Sequence, residues 1–424
     1  MRLLFVNSAL DVGGSQSATV QLARSLAAQG CSVGIAASEP FEYEIEESDR
    51  LRLFVLHHSK VPLHRSHQIA RVADMFAPDV IVAVEAATIP SCLVAGVRSD
   101  TAVASYILGP RIPWHIPDRT DVWVASPDLF DFSQLWRKAT TRLLKPPISI
   151  PPYEERPETR TDRVRVLSVG RLIEQYKGSG LLTLIRSATH LPGGSIEIVG
   201  DGPFRSQLET EASRVNAELG RAAVVFHGSQ PDPSRYYANV DVVVGGGLSA
   251  IEAVACGVPT VVLGRNGFAA PVTVGALDEM VQHGFFGATG SYDDPASLAA
   301  LVAETARSRS PDELAAAVRR IYGGDGAAEK LQADLSSIEP HLPTAADVFR
   351  SGVQRGHYRL RRRAIFEVER RRGNNVDEIE NVVNRRIRSY PLRSSGALAT
   401  FPTNAYRPME PSGGGLKSQE GKQI

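Results

Sequence analysis

The chain contains 424 residues with a mass of 45.8 kDa, which predicts two or three domains rather than one small core. Hydrophobic residues make up 43% and charged residues 22%, so neither wholesale disorder nor a fibrous repeat fits. The 47 Lys and Arg residues balance 47 Asp and Glu residues, which argues against nucleic acid as a partner of the whole chain. The balance hides an asymmetry, because residues 341–424 carry 16 basic and 8 acidic residues and leave the rest of the chain acidic.

The cysteines and the apolar segments exclude several classes of protein. Cys31, Cys92 and Cys256 are too widely spaced for a disulfide framework or a thiolate zinc site, and they indicate a reducing compartment. No Asp-x-Asp occurs, so we expect neither a metal nor a cofactor. The run from Val80 to Val97 is interrupted by Glu85 and Pro90, which favours a strand followed by a buried helix over a membrane span. We therefore expect a cytoplasmic location.

Short β-branched runs alternate with helix-period segments from the start of the chain, a pattern typical of parallel βαβ units. The strands predicted in the first part are Leu3–Asn7, Ser32–Ala37, Arg52–Leu56, Asp79–Val84, Ala102–Ile107 and Asp121–Ala125. The helices predicted there are Gln16–Gln29, His64–Phe76 and Asp128–Arg137.

A linker separates this part from a second one of the same kind. Five prolines fall among charged residues between Leu144 and Thr161, and they favour extended backbone. The strands predicted after it are Arg163–Ser168, Ser195–Val199, Val224–His227, Asp241–Val244 and Thr260–Leu263. The helices predicted there are Leu181–His190, Phe204–Leu219, Ser249–Ala255 and Pro295–Ala306. We expect an α/β protein with two doubly wound, Rossmann-like domains at residues 1–143 and 162–340 and a linker at 144–161.

The strand pattern ends near residue 340. Residues 346–394 contain thirteen Arg and no Lys, interspersed with apolar residues, which predicts a basic and helical extension over residues 341–393. Gly, Ser, Pro and polar residues dominate residues 394–424, so we expect disorder there.

Four motifs follow predicted strands of the two domains. After the first strand, Gly13 and Gly14 precede a helix whose amino end can bind an anion, although the same glycines can serve only to turn the chain. Arg171 follows the first strand of the second part, and Lys177 precedes a helix; two cations across such a turn suit a diphosphate. The third motif, Val199 to Pro203, favours a structural turn.

The fourth motif is a glycine-rich loop, residues 245–247, followed by a short helix. Gly247, Leu248 and Ser249 form the helix start, where backbone N–H groups can bind phosphate oxygens. Glu252 lies one turn inside this small and apolar helix, and a buried carboxylate needs a partner such as a pair of sugar hydroxyls.

In this order and spacing, the motifs resemble the retaining, nucleotide-sugar-dependent glycosyltransferases of family 4, the group 1 type with the GT-B fold. The resemblance covers roughly residues 1–310. It implies two domains facing a cleft, with the donor diphosphate on Arg171 and Lys177, its ribose hydroxyls on Glu252 and a phosphate at the Gly247–Ser249 helix start. Gly13 and Gly14 would contact donor phosphate or acceptor across the cleft.

The sequence departs from the family pattern in two places. A second Glu usually stands eight positions before the ribose-binding one, where this chain has Val244, and the Arg of a Gly-x-Gly-Arg loop in other relatives corresponds to Leu248. The His-Gly pair expected after Ala102–Ile107 is also absent, and nearby His115 is a candidate catalytic substitute.

The main hypothesis is therefore a glycosyltransferase that moves a sugar from a nucleoside diphosphate to a hydroxyl acceptor, with retention. The alternatives are a sugar-nucleotide-binding scaffold without turnover and, less favoured, a nucleotide-sugar epimerase. For the Arg-rich extension two hypotheses stay open: peripheral contact with an anionic membrane that carries a lipid-linked acceptor, or helices that pack back on the acidic body. Nucleic acid is not expected as a partner, because few aromatic residues accompany the arginines.

Overall fold

The computed structural model describes residues 1–58, 62–109, 112–113, 115–134, 137, 140–148, 163–230, 232–264, 268–287, 294–308, 312–373 and 379. Residues 149–161 of the predicted linker and the expected disordered tail at 394–424 lie outside these residues. The described residues form two sheets, each with helices on both faces. This is the doubly wound α/β class that the sequence predicted.

The first sheet has seven strands in the order β3-β2-β1-β4-β5-β6-β7, and all neighbours are parallel. They are β1 (Arg2–Leu10), β2 (Ser32–Phe41), β3 (Leu51–Leu56), β4 (Val80–Ala83), β5 (Ala102–Ile107), β6 (Val122–Val124) and β7 (Thr141–Leu143). The central strands β4 and β5 are buried at every residue, as strands covered on both faces must be. The strand order reverses between β1 and β4.

Four helices follow strands of the first sheet. They are α1 (Gly14–Ala28), α2 (Pro62–Phe76), α3 (Ile89–Ser99) and α4 (Pro127–Ser133). One apolar cluster lies on the face covered by α1, and another lies on the face covered by α2 and α3. The apolar stretch Val80–Val97 is thus a strand and a buried helix, as predicted.

The second sheet has six strands in the order β10-β9-β8-β11-β12-β13, parallel except for the antiparallel edge strand β13. They are β8 (Arg165–Val169), β9 (Ser195–Val199), β10 (Val224–Gly228), β11 (Val242–Gly245), β12 (Thr260–Leu263) and β13 (Ala269–Pro271). The strand order reverses between β8 and β11, and ligands of open α/β sheets bind at the carboxyl edge beside such a reversal.

The remaining helices follow β8 along the chain. They are α5 (Glu174–Ser187), α6 (Arg205–Leu219), α7 (Ser234–Tyr237), α8 (Leu248–Ala255), α9 (Leu277–Gln282), α10 (Pro295–Arg307), α11 (Asp312–Tyr322), α12 (Gly324–Ser336) and α13 (Ala345–Arg371). Helix α5 begins at Glu174, seven residues before the predicted start, so that Lys177 lies inside its first turn rather than before it.

Helix α12 belongs to the core of the first domain, which corrects the expected end of the second domain at residue 340. Its buried residues Ala328 and Leu331 pack in the same cluster as the first strands. The indole Nε1 of buried Trp123 donates to Asp334 Oδ2 at 2.9 Å. The chain therefore returns to the first domain after α11, because the apolar face of α12 is buried against α1.

Helix α13 continues along the first domain. A capping box at Thr344 and Asp347 starts it, and its residues pack beside α3. This helix, Ala345–Arg371, lies within the segment for which the sequence predicted a basic and helical extension. Within the described ranges, no helix has both the length and the apolar character needed to cross a membrane.

Candidate active site

A cavity lies at the carboxyl edge of the second sheet, beside the reversal between β8 and β11. Its walls come from the ends of β8, β11 and β12 and from the loops that follow β8 and β11. The lining residues are Ser168, Val169, Gly170, Arg171, Leu172, Leu181, Gly245, Gly246 and Leu263. Among them Arg171 supplies a positive charge, so the cavity suits an anionic ligand.

The loop that carries Arg171 is held by a neighbouring turn. Gly170 N donates to Val199 O and Leu172 N donates to Asp201 O, both at 2.9 Å. Gly200 has a φ of +145°, and a Cβ there would lie 2.0 Å from the Gly170 carbonyl oxygen. Only glycine permits this approach, so the turn after β9 has the structural role that the sequence favoured.

Arg171 reaches across to the first domain. Its Nη2 donates to Asp11 Oδ2 at 2.5 Å and to the Val12 carbonyl oxygen at 3.3 Å. The Asp11 carboxylate thus contacts the same guanidinium that the sequence assigned to a diphosphate. Sequence analysis did not select Asp11 as a site residue, because a loop carboxylate has no local mark of a partner 160 residues away.

The glycine pair of the first domain touches the second domain at two points. A Cβ on Gly13 would lie 3.1 Å from Arg171 Nη2, and a Cβ on Gly14 would lie 2.9 Å from Leu248 Cδ1. Larger side chains at these positions would therefore press against the second domain. The structure brings together Gly13, Gly14, Arg171 and Leu248.

Helix α8 begins directly after the second glycine loop. Gly247 has a φ of +66° and precedes the helix without a side-chain cap, so no side chain of its own lies over the first-turn amides. Ser249 is buried, and its hydroxyl donates to Gly246 O at 3.3 Å, which holds the loop rather than a ligand. Leu248 covers Gly14 and supplies no cation where some relatives have Arg.

Position 244 lies in β11, and the side chain of Val244 is fully buried. No side chain at this position contacts the cavity in this arrangement. The loop that follows it consists of glycines packed against Phe286, whose ring would lie 2.8 Å from a Cβ on Gly247.

Glu252 lies in the middle of α8 and is partly buried. The Tyr237 hydroxyl donates to its Oε2 at 3.2 Å. Burial raises the pKa of Glu252 to about 7, and the nearby Asp232 charge adds to this, against the hydrogen bond from Tyr237. A carboxylate with this pKa gains from a ligand that donates hydrogen bonds to it.

Tyr43, which sequence analysis did not identify, lies between Gly13 and the second domain. Gly13 N donates to its hydroxyl at 3.3 Å, and the hydroxyl donates to Gly13 O at 3.2 Å. Burial raises the pKa of Tyr43 to about 12, and the charges of Glu252 and Asp11 add to this. These couplings put Tyr43 close to both sides of the site. A single Tyr in a loop gives no sequence signal of this role.

The backbone of Lys177 lies in the first turn of α5, close in sequence to the Arg171 loop. Its side chain falls outside the described residues.

His115 lies in the first domain and is buried. Its Nε2 donates to the Ala86 carbonyl oxygen at 3.0 Å, beside the carboxyl end of β4. Burial lowers the pKa of His115 to about 4, helped by the charges of Arg355 and Arg359. The imidazole is therefore neutral near pH 7 and supports the loop after β4.

Comparison with protein families gives a match that covers the second domain. The profile of the family described as "Glycosyl transferases group 1" matches residues 150–321. Comparison with curated protein sequences yields no match.

Solved structures resemble the chain over most of its length. HepE of Anabaena, in complex with UDP and glucose, matches with 18% identity and a TM-score of 0.56 over 80% of this chain and 100% of its own. Sucrose-phosphate synthase of Thermosynechococcus elongatus matches with 19% identity and a TM-score of 0.57 over 80% and 98%. WaaG, a glycosyltransferase involved in lipopolysaccharide biosynthesis, matches with 14% identity and a TM-score of 0.51 over 82% and 100%. These likenesses confirm the predicted GT-B fold.

Proposed function

Because this chain belongs to the glycosyl transferases group 1 family through residues 150–321, we propose that it transfers a sugar from a nucleoside diphosphate donor to a hydroxyl acceptor, with retention at the transferred carbon. The family makes the chain a nucleotide-sugar-dependent glycosyltransferase. The roles of its individual residues are the subject of the proposal.

The observation that carries the proposal is the position of Arg171 in a cavity at the carboxyl edge of β8 and β11. A guanidinium there, next to the amino end of α8, forms a site for the two phosphates of the donor. Lys177, four positions into the next helix, supplies a second cation to the same diphosphate. The first-turn amides of α8 from Gly247 to Ser249 bind a further phosphate oxygen.

During transfer the bond between the sugar and the diphosphate breaks, and negative charge grows on the leaving oxygen. Cations and helix amides fixed beside that oxygen stabilise the charge more in the transition state than in the bound donor. The acceptor hydroxyl oxygen forms the new bond, and its proton leaves with the diphosphate. Glu252 accepts hydrogen bonds from the ribose hydroxyls. These bonds replace the hydrogen bonds to water that the carboxylate loses on burial.

Asp11 occupies the Arg171 guanidinium before the donor binds. Its carboxylate contacts Arg171 at 2.5 Å, so a donor diphosphate competes with Asp11 for the guanidinium. Gly13 and Gly14 leave room for the donor or acceptor to lie against the first domain. His115 is the histidine on the acceptor side, and we assign it to positioning of the loop after β4.

The donor nucleotide proposed for the first tests is UDP, since HepE was solved with UDP-glucose and with UDP. The acceptor is a hydroxyl on a glycan, a lipid-linked glycan or a small molecule. The proposal also includes a cytoplasmic location and peripheral contact with an anionic membrane through the Arg-rich extension.

A donor-transfer assay with radiolabelled UDP-sugars tests the proposal. Arg171→Ala should lower the rate of transfer by about a hundredfold or more, since removal of one transition-state donor costs about 3–4 kcal/mol. Arg186→Ala is the matched control, because Arg186 pairs with Glu211 on the surface of the same domain. Full activity of Arg171→Ala would overturn the assignment, and donor binding without transfer or hydrolysis by the wild type would favour a scaffold.

A further inference from the structure

The outer face of α13 presents an apolar stripe. Phe349, Val353 and Leu360 are 74%, 54% and 68% exposed. Their spacings of four and seven residues place them on one side of the helix, together with exposed Gly356. The opposite side contains the buried Ser351 and packs beside α3. The stripe therefore lies on the side of α13 that faces away from the first domain.

Positive charge surrounds the stripe. Residues 348–366 contain six arginines and no carboxylate. At about 100° per residue, exposed Arg350 lies on one flank of the stripe, and exposed Arg359 and Arg363 lie on the other. The three carboxylates of α13 stand at its ends, at Asp347, Glu367 and Glu369. Asp347 is bound in the capping box, and the two glutamates pair with Arg371 and Arg372.

We propose that this face, defined by Phe349, Val353, Leu360 and the flanking Arg350, Arg359 and Arg363, docks α13 in the plane of a membrane surface that contains anionic lipid. An apolar stripe between two rows of arginines complements acyl chains below and anionic headgroups beside them. Snorkelling arginine side chains can reach phosphates while the stripe enters the interface. The helix lies on the membrane and does not span it.

The course of α13 relates this face to the active site. Val103 N, near the amino end of β5, donates to His341 O at 3.2 Å, just before the helix begins. Arg355 Nη1 donates to Ala87 O at 3.3 Å, in the loop that follows the carboxyl end of β4. Helix α13 therefore runs from the amino to the carboxyl edge of the first sheet.

The second half of the helix lies next to the acceptor side. The 16 residues after Arg355 continue for about 24 Å at 1.5 Å per residue. A membrane docked on this face would present a lipid-linked hydroxyl acceptor near the cleft. This inference deepens the proposed membrane contact and rests on it.

Flotation of the full-length chain with lipid vesicles tests the face without any donor or acceptor. The vesicles are pure phosphatidylcholine, or phosphatidylcholine with about a third phosphatidylglycerol. We expect the wild type to float with the anionic vesicles only, and Leu360→Glu to lower the bound fraction at least tenfold. Met75→Glu is the matched control, since Met75 is 69% exposed on α2, away from α13.

A second pair of variants tests the charges. Arg350→Gln with Arg363→Gln should weaken binding to anionic vesicles by about thirtyfold, since each basic residue near such a surface is worth about 1 kcal/mol. Arg71→Gln, an exposed arginine of α2, should not. Every substituted residue is exposed, so we expect the fold to be unchanged. Circular dichroism of each variant checks this.

Each other outcome overturns the proposal in a defined way. Binding that survives both sets of substitutions would keep membrane contact but remove this face from it. No binding of the wild type would overturn the membrane contact itself, whether or not the chain transfers sugar. Sedimentation that shows a dimer broken by Leu360→Glu, without vesicle binding, would make the face an interface between two copies.

Discussion

Replacement of Glu252 by Gln should stabilise the ligand-free protein and weaken donor binding at the same time. Glu252 has to lose its proton inside a partly buried site, and burial raises its pKa from 4.5 to about 7. The neutral amide keeps the size of the side chain and can still accept the hydrogen bond that the Tyr237 hydroxyl donates. The substitution therefore measures the free-energy cost of ionising the Glu252 carboxyl group in the folded protein.

The magnitude and its pH window follow from the two pKa values. Between pH 4.5 and about 7 the folded state holds a proton that the unfolded state has lost, so stability falls as pH rises through this window. Each pKa unit is worth about 1.4 kcal/mol, which gives an upper value of about 3.5 kcal/mol above pH 7. For a domain of this size that corresponds to about 7–14 °C in the unfolding midpoint.

Scanning calorimetry at about pH 8 and about pH 4.5 measures this difference. Calorimetry is required because the three tryptophans, at positions 114, 123 and 136, all lie in the first domain. We expect Glu252→Gln to unfold at a higher temperature than the wild type at about pH 8 and at the same temperature at about pH 4.5. Glu218→Gln, an exposed glutamate of α6, should change stability by less than about 0.5 kcal/mol.

Titration with UDP completes the test. Loss of hydrogen bonds from ribose hydroxyls to a charged group should weaken binding by about ten- to a hundredfold. A variant that is no more stable than the wild type at about pH 8 would refute the burial argument. A variant that gains stability and binds UDP as well as the wild type would refute the ribose role alone.

Three further substitutions test the interdomain contact, the buried histidine and the returning helix. Asp11→Asn removes the carboxylate that competes for Arg171, so UDP should bind up to about fivefold more tightly in calorimetry; weaker binding would contradict the competition. His115→Gln should leave the shape of the rate profile between about pH 5.5 and 8 unchanged, because the neutral imidazole does not titrate there, and a lost ionisation near pH 6.5 would show otherwise. Asp334→Ala leaves the buried indole N–H of Trp123 without its acceptor and should cost the first domain about 1–3 kcal/mol by tryptophan fluorescence, whereas a loss below about 0.5 kcal/mol would refute the contact.

The sheet strands could be predicted because their signal is local. Ala102–Ile107, Ser195–Val199 and Thr260–Leu263 begin and end at the predicted residues. Ser195–Val199 and Thr260–Leu263 are rich in β-branched residues, and Ala102–Ile107 and Thr260–Leu263 are buried at every residue, as expected for strands covered on both faces. The strands Thr141–Leu143 and Ala269–Pro271 were not predicted, since three residues are too few to show a period.

The site residues could be predicted only where a glycine or a charge follows a strand. That rule selected Arg171, Gly13 and Gly14, and the structure brings them together. It selected neither Asp11 nor Tyr43, because their roles depend on contacts between the two domains. The structure adds these contacts.

The position of α12 could not be predicted for the same reason. An amphipathic helix shows which of its faces is buried but not which domain buries it. Leu331 and Leu335 pack with the first strands, although more than 100 residues of the second domain precede them. The two domains are therefore joined by two crossings of the chain, one between Leu144 and Ile148 and the other after α11.

Because the chain returns to the first domain, the positive charge of α13 has a fixed place on that domain. A basic extension on a free tail could contact anionic surfaces in any orientation, whereas α13 is packed beside α3, with Ser351 buried and Pro343 close to Gly96. Its arginines therefore keep a fixed position relative to the first domain. Truncation after residue 340 would remove the positive charge and would also expose the surface of α3 that α13 covers. Surface substitutions such as Leu360→Glu are thus the test that separates docking from folding.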